Sequence, residues 1–483
     1  MLSQTPPKLF DRQDWLAGYR SLKQEYSYWV SDITGAIPPE LQGTLFRNGP
    51  GLLDVNGEKY GHPFDGDGMI CRISFQDSKA HFANSFVKTP EYLAEQKAGK
   101  ILYRGVFGTQ KAGGVLGNLF DMRRKNIANT NVTYHGGKLF AMWEADRPYA
   151  LDPYTLQTLG IESFQDKLTP GSVFSAHPRL DPATNDLWGF GVEPSFRSKI
   201  SIYKLSTTGD LQIVHQVKVP GFCFLHDFAW TPDYCIFIQN PIQFNPFPFI
   251  FGLQTAGACL ELKPNAPSQF LLLDRQGNLQ TIDTEPCFVF HHGNAYRSGD
   301  ELILDAVTYA DYPKLEANSD FREVDFSKVI PGHLTRFCLN LSTKAVRKTT
   351  LLDRSCEFPR LNPNHTGRPH RYLYLAMIDP ATPPDTNAPL QAIVKVDTHT
   401  AQHQIHNFAP RGFVSEPVFV PRPNGELEDD GWVLLLTFNA ARNASDVVIL
   451  NGTDLTTQAI LHLPHHVPYG LHGNFVPHVF VNK

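Results

Sequence analysis

Ala392–Ile405 reads AIVKVDTHTAQHQI. An apolar run of β-formers reaches Asp397, whose carboxylate favours a tight turn, and a second strand-like run leaves it. That is the signature of a β-hairpin. The same unit returns six more times, at RISFQDSKAHF (72–82), YALDPYTLQTL (149–159), SIYKLSTTGDLQIV (201–214), FLLLDRQGNLQTI (270–282), RFCLNLSTKAVRK (336–348) and VVILNGTDLTTQAI (447–460). The turn residues Asp77, Asp152, Ser206, Asp274, Asn340, Asp397 and Asn451 follow one another at intervals of 54 to 75 residues. A hairpin repeated at such a period marks a propeller, whose four-stranded blades leave only short, protected edges. Seven hairpins predict an all-β, seven-bladed β-propeller that takes up the whole chain, 1–483, as one domain. An irregular β-sandwich would have no reason to space its hairpins so evenly.

Three stretches fall outside the rhythm. Residues 1–36 are polar and aromatic and are expected to wrap the outside of the fold. Residues 91–126 have helix-like ends around an apolar, glycine-rich middle and finish on Arg123, Arg124 and Lys125. Residues 244–262 are too proline-rich for a blade strand. The last two are expected to form a loop cap over one face of the propeller. Exposed apolar patches mark contacts, so Val106, Phe107, Leu116, Phe120, Phe247, Phe249 and Phe251 read as a membrane-facing surface, with the three basic residues near lipid headgroups.

Composition narrows the function. Aromatic residues make up 12% of the chain, with 34 Phe, which fits a large aromatic-lined interior or tunnel. A net charge of −5 with no Lys/Arg block gives no nucleic-acid footprint. Seven cysteines without a CxxC pair argue against a disulfide framework or a thiolate zinc site and for a reducing compartment. The N-terminus has no apolar signal core, and no run approaches the roughly 20 apolar residues of a membrane span. The expected location is the cytoplasm, with peripheral, monotopic attachment to a membrane surface. No obligate protein partner is evident.

Four histidines follow apolar or small-residue leads: His177 in VFSAHPRLDP, His226 in GFCFLHDFAW, His291 in FVFHHGNAY and His472 in VPYGLHGN. Imidazole suits iron, zinc or copper rather than magnesium or calcium. Glu144, Glu357 and Glu416 fill the remaining intervals, so that Glu144, His177, His226, His291, Glu357, Glu416 and His472 are spaced by 33, 49, 65, 66, 59 and 56 residues. All but the first interval approximate the blade period, so the series would meet at the propeller axis. A glutamate behind a histidine would accept its second N–H, fix the tautomer and offset part of a metal's charge.

The stretches FRNGPG (46–51), HPFDGDGM (62–69), NIANTN (126–131), SAHPRLDP (175–182), FLHDF (224–228), FVFHHGNA (288–295), EDDGW (428–432) and PYGLHG (468–473) together resemble the carotenoid cleavage oxygenase family, most closely its cyanobacterial apocarotenoid 15,15′-oxygenases. The resemblance covers about residues 10–475. It implies an α-helical and loop dome over one face of the propeller and one non-haem Fe(II) per chain on the axis beneath it, held by His177, His226, His291 and His472, with O₂ as co-substrate. It also implies that Glu144, Glu357 and Glu416 back His226, His291 and His472 respectively, leaving His177 without a carboxylate and His292 a structural residue. Thr130 matches a residue whose methyl crowds an open iron position, and Trp143 and Phe290 match the substrate tunnel. The reaction so implied splits a C=C bond of an apocarotenoid, at 15,15′, into retinal and a second carbonyl product. HPFDGDGM alone could suggest a calcium loop, but the downstream glutamate is missing, and it reads as a tight turn.

Two rivals stand beside that reading. Stilbene-cleaving relatives are expected to carry Lys where this chain has Trp143, so a polyene is favoured. A non-catalytic, lipid-binding propeller would have no need of all four histidines and three glutamates.

Overall fold

Most of the repeated hairpins are closed by the side chain of their turn residue. The computed structural model describes residues 10–313, 320–383 and 386–481. In it, Asp152 Oδ1 accepts the backbone N–H groups of Tyr154 and Thr155 at 3.0 and 2.7 Å. Asn340 Oδ1 does the same for Ser342 and Thr343 at 3.1 and 2.7 Å. Asp397 and Asn451 accept from His399 and Thr453 at 2.9 and 2.8 Å. In these four turns the N–H four residues on bonds back to the carbonyl of the turn residue. The residues that donate it, Leu156, Lys344, Ala401 and Leu455, all have φ between 57° and 61°. A single left-handed residue costs such side chains about 1–2 kcal/mol and lets the outgoing strand fall back onto its partner. Asp77 and Ser78 instead form a two-residue turn with φ of 50° and 55°, the mirror-image turn suited to strand twist.

These hairpins are the third and fourth strands, counted outward from the axis, in each of seven antiparallel sheets. The first blade holds Gly43–Leu52, Asp67–Gln76 and Lys79–Phe86, and the second runs from Asn131–His135 out to Thr158–Ile161. The third to sixth begin at the axis with Arg179–Leu180, Ala229–Trp230, Phe288–Ser298 and Cys356–Arg360. The seventh starts with the paired short strands Gly412–Val414 and Val418–Pro421. The fold is thus the seven-bladed propeller that the turns predict.

The core lies between blades rather than at one centre. Phe46, Ile70, Val132 and Leu139 join the first and second blades, and Phe190, Phe228 and Phe237 the third and fourth. Ile73, Phe75 and Trp432 join the first and seventh. Each sheet is covered on both faces, which is why Gly43–Leu52 and most of Gly431–Asn439 are buried along their length.

Two pairings close the ring. Gly473–Val476 adds to the axial edge of the first blade, with Arg47 opposite Gly473 and Thr44 opposite Val476. Near the other end of the chain, Ser27–Trp29 pairs with the rim strand of the first blade and Ile33–Gly35 with that of the seventh. The expected wrap therefore runs along the rim at 27–35. The helix Arg12–Ala17 departs from it: Trp15 is buried, 6.5 and 5.1 Å from the rings of Phe321 and Phe326. Residues 1–9 of the expected wrap lie outside the described residues.

The dome contains the helices Pro90–Ala98, Gly114–Asn118 and Pro246–Ile250 and the small sheet Ile242–Phe244 with Leu260–Leu262. Arg104 ties its segments together. Its guanidinium donates to the carbonyls of Phe249 and Gln254 at 2.8 and 2.6 Å and stacks 4.0 Å from the Phe249 ring. Leu116, Phe120, Phe247 and Phe251 are exposed, at 85, 64, 65 and 45%. Three residues of the expected membrane face are placed elsewhere: Val106 and Phe107 line internal cavities, and Phe249 lies under Arg104. Lys125 is likewise not available to headgroups. It is buried, 2.7 Å from Asp67 and 2.6 Å from Glu95, because two buried carboxylates need its charge.

Candidate metal centre

Each blade presents one residue of the predicted series, or Thr130, at its axial end. Thr130 precedes the axial strand of the second blade, and His177 and His226 precede those of the third and fourth. His291 and Glu357 lie inside the axial strands of the fifth and sixth, at breaks in strand register. Such bulges re-aim a side chain. Glu416 lies between the two short strands of the seventh, and His472 precedes the strand that closes the first. Glu144 follows the second strand of the second blade and reaches over from outside the ring.

The four histidines converge, and one ring nitrogen of each lies within 4.8 Å of the others. Nε2 of His226 is 2.9 Å from Nε2 of His177 and 3.2 Å from Nε2 of His291. Behind them, His291 Nδ1 is 2.5 Å from Glu357 Oε2 and His472 Nδ1 is 2.8 Å from Glu416 Oε1. His226 Nδ1 makes a looser pair with Glu144 Oε2, at 3.2 Å. An Nδ1–H that donates to a carboxylate leaves Nε2 with a bare lone pair. Lone pairs crowded this closely repel unless a cation lies among them, so the donor set fits a metal. Burial pushes His177 well below its ordinary range and His472 down to about 4, so both are neutral donors.

The three carboxylates are not equivalent. Burial opposes the charge of Glu416, but Arg360, His472 and Arg47 hold its carboxyl well below the usual range. Arg47 is 2.9 Å from Oε2, Arg360 Nε 3.0 Å from Oε1, and the N–H of Gly473 2.9 Å from Oε2. Glu416 thus spends its charge on two guanidiniums. Glu357 has no such cation. It accepts hydrogen bonds from the hydroxyl of Tyr309 at 2.6 Å and the N–H of Phe358 at 2.5 Å, and against burial His291 and these bonds keep its carboxyl low. Glu144 is also held low against burial, chiefly by His226. Among the described residues, Glu144 and Glu357 are therefore the two uncompensated negative charges near the histidines.

Sequence reasoning missed several of these partners. Arg47, Arg360 and Tyr309 come from other blades, with only Arg47 sitting in a quoted motif. Phe358 has φ of 58° and lies 5.6 and 5.3 Å from the rings of His291 and His472. Only its place beside Glu357 could have signalled it. His292 is buried away from the cluster, 3.6 Å from Asp227, which also binds Arg179 at 2.6 Å. HPFDGDGM forms a short turn at Pro63–Asp65, and Asp65 accepts the N–H groups of Phe107, Gly108 and Thr109.

A cavity of about 340 Å³ opens on the cluster, with Thr130, Trp143, Phe224, Phe290 and Phe358 on its wall beside His226, His291 and His472. The Phe290 ring is 5.6 Å from His226, and the N–H of His472 donates to the carbonyl of Thr130 at 3.2 Å. Through Trp143, Phe224 and Gly257 this cavity adjoins one of about 780 Å³ under the dome, whose wall includes Met122, Phe196 and Phe249. Through Tyr309, Phe358 and Leu471 it adjoins a third of about 300 Å³ beside Trp15 and Tyr19. The histidines thus stand midway along a mostly apolar passage.

Known proteins share this arrangement. The sequence profile described as retinal pigment epithelial membrane protein matches residues 19–477. The apocarotenoid-15,15′-oxygenase of Synechocystis sp. is 45% identical over 98% of both chains. A carotenoid 9,10(9′,10′)-cleavage dioxygenase of Crocus sativus is 30% identical over 92% of this chain and 85% of its own. A crystal structure of cobalt-substituted Synechocystis ACO superposes with a TM-score of 0.94, at 44% identity, over 97% of this chain and 99% of that one. With a profile matched across all seven blades and a relative this similar from end to end, the chain belongs to the carotenoid cleavage oxygenase family.

Proposed function

We propose that the protein is a non-haem Fe(II) dioxygenase that cleaves the 15,15′ double bond of an apocarotenoid to retinal and a second carbonyl product. The observation that carries this is the four-imidazole cluster halfway along an apolar passage. His177, His226, His291 and His472 would hold the iron. Nitrogens about 2.1 Å from one ion lie about 3.0 Å apart at right angles and about 3.4 Å apart in a tetrahedron. The 2.9 and 3.2 Å separations fit imidazole nitrogens that share one ion. Bound there, iron would supply the binding and activation of O₂. Both oxygen atoms end in the two carbonyls, so the chain need not donate or remove a proton. Trp143 and Phe290 would hold the polyene flat against the cluster, Thr130 would limit the space beside it, and the apolar walls would exclude water.

The test is product analysis by purified, iron-loaded protein given several apocarotenals and a stilbene. Retinal is expected from the apocarotenals, and turnover of the stilbene alone would overturn the reading.

The exposed apolar groups support a further part of the proposal, that substrate is drawn from a membrane surface. Among the described residues no helix is long and apolar enough to cross a membrane. Leu116, Phe120 and Phe247 are exposed on the segments whose Met122, Pro246 and Phe249 line the large cavity, and each gives about 1.5–3 kcal/mol when fully buried in lipid. Changing all three to Ser is expected to weaken vesicle binding at least about tenfold and to slow turnover of vesicle-held substrate, with detergent-dispersed substrate little affected. Cosedimentation equal to wild type would defeat it. Phe249 is left out because Arg104 and the cavity wall already claim it.

A further inference from the structure

The motif HPFDGDGM at 62–69 has no part in the metal centre. Its carboxylates are committed: Asp65 binds three backbone N–H groups, and Asp67 pairs with Lys125. His62 is not. It caps the turn Pro63–Asp65, its Nδ1 accepting the N–H of Phe64 at 3.1 Å. A nitrogen used as an acceptor carries no proton, so the neutral ring is protonated at Nε2. Burial pushes the imidazole down to about 4, which leaves it neutral at pH 7.

Among the described residues Nε2 has no hydrogen-bond partner. The ring lies on the wall of the same cavity as His226, His291 and His472. Aromatic rings surround it, with centroids at 4.7 Å for Phe64, 5.5 Å for Phe107 and 6.1 Å for Phe321. An N–H donor set in an apolar wall is costly to leave unpaired once water is displaced, so it selects a ligand that brings an acceptor.

We propose that His62 is a specificity-determining residue whose Nε2–H donates to a carbonyl oxygen of a polyene bound in the metal-bearing cavity. This rests on the reading of the chain as a polyene-cleaving enzyme. Two oxygens share the required chemistry: a terminal aldehyde that the substrate carries in, and the carbonyl formed at the cut.

The experiment compares the wild-type holoenzyme with His62→Asn and His62→Phe. Asn keeps a short-range acceptor for the Phe64 N–H, as Asn does at turn and helix starts, but does not extend as far as Nε2. Phe keeps the ring and loses both functions. KM and kcat are measured on an aldehyde-terminated polyene and a hydrocarbon-terminated one of equal length. Binding of both, and of retinal, to the metal-free protein is followed by quenching of tryptophan fluorescence, and iron content is measured throughout.

With iron unchanged, His62→Asn is expected to weaken aldehyde-terminated substrate about 3–10-fold in KM and in binding, with hydrocarbon-terminated substrate unaffected. That result assigns the donor to the terminal aldehyde. If both substrates bind as before and retinal alone weakens by that factor, the donor serves the new carbonyl. The proposal is overturned if His62→Asn matches wild type throughout, which makes His62 only a turn cap. It is also overturned if hydrocarbon and aldehyde ligands weaken equally, which makes it only packing. Wild-type protein that cleaves neither polyene fails the reading of function instead, and the binding measurements still decide the role of His62.

Discussion

Alanine at His226 or at His472 is expected to strip the protein of iron, from about one per chain to a small residue, and to take turnover to background. Each imidazole supplies one of four converging nitrogens, and a side chain cut back to a methyl leaves a gap that no neighbour fills. The loss extends past one bond. With His226 gone, Glu144 keeps its charge in a largely buried place without the N–H that balances it; with His472 gone, Glu416 and its two arginines lose the group they face. His215, which bonds the carbonyl of Arg275 at 3.1 Å on the rim, serves as control, and its alanine variant should keep both iron and turnover. Metal analysis and steady-state kinetics decide the matter. Full iron and activity in either variant, or zinc as the only activating ion, would defeat the assignment.

Glu357→Gln is expected to cost about 10–100-fold in iron affinity or turnover, the usual penalty for losing a partner behind a metal ligand. The shape is kept and the charge is not. A neutral amide keeps one oxygen for the N–H groups of His291 and Phe358, accepts them more weakly, and turns its own N–H groups toward Tyr309, whose hydroxyl must change from donor to acceptor. Only Glu144 would then remain to face a divalent ion uncompensated. Glu416→Gln should act differently, because that carboxylate already answers Arg47 and Arg360. Its loss leaves the buried Arg47 and the half-buried Arg360 without their counter-charge and should show first as a lowered melting temperature. Unchanged iron affinity and turnover in Glu357→Gln would remove Glu357 from the role proposed for it.

What the sequence disclosed was whatever is local or periodic. An Asp or Asn that closes a turn does so through its own next few N–H groups, so Asp152, Asn340, Asp397 and Asn451 advertise their hairpins within five residues. The axial series was legible for the same reason: one blade, one residue, one period. The left-handed Leu156, Lys344, Ala401 and Leu455 were not, since nothing in those side chains favours that conformation. Arg47 meets Glu416 across 369 residues of chain, a distance at which no spacing rule operates. Lys125 shows the opposite error. Beside Arg123 and Arg124 it reads as one more surface charge, but the loop turns it inward to Asp67 and Glu95. Val106 and Phe107 were misread in the same way, because an apolar residue in a dome has an inner wall to cover as well as an outer face.

The closing strand Gly473–Val476 also sets a timetable. A ribosome delivers His177 first and His472 last, 295 residues later, at about 5–20 residues per second. For roughly 15–60 s the growing chain holds an incomplete set of nitrogens, while the strand Gly43–Leu52 waits for the partner that seals the ring. The last ligand and the seal leave the ribosome within a few residues of each other. Metal capture and circular closure therefore fall together, and a chain that stops short of them can complete neither.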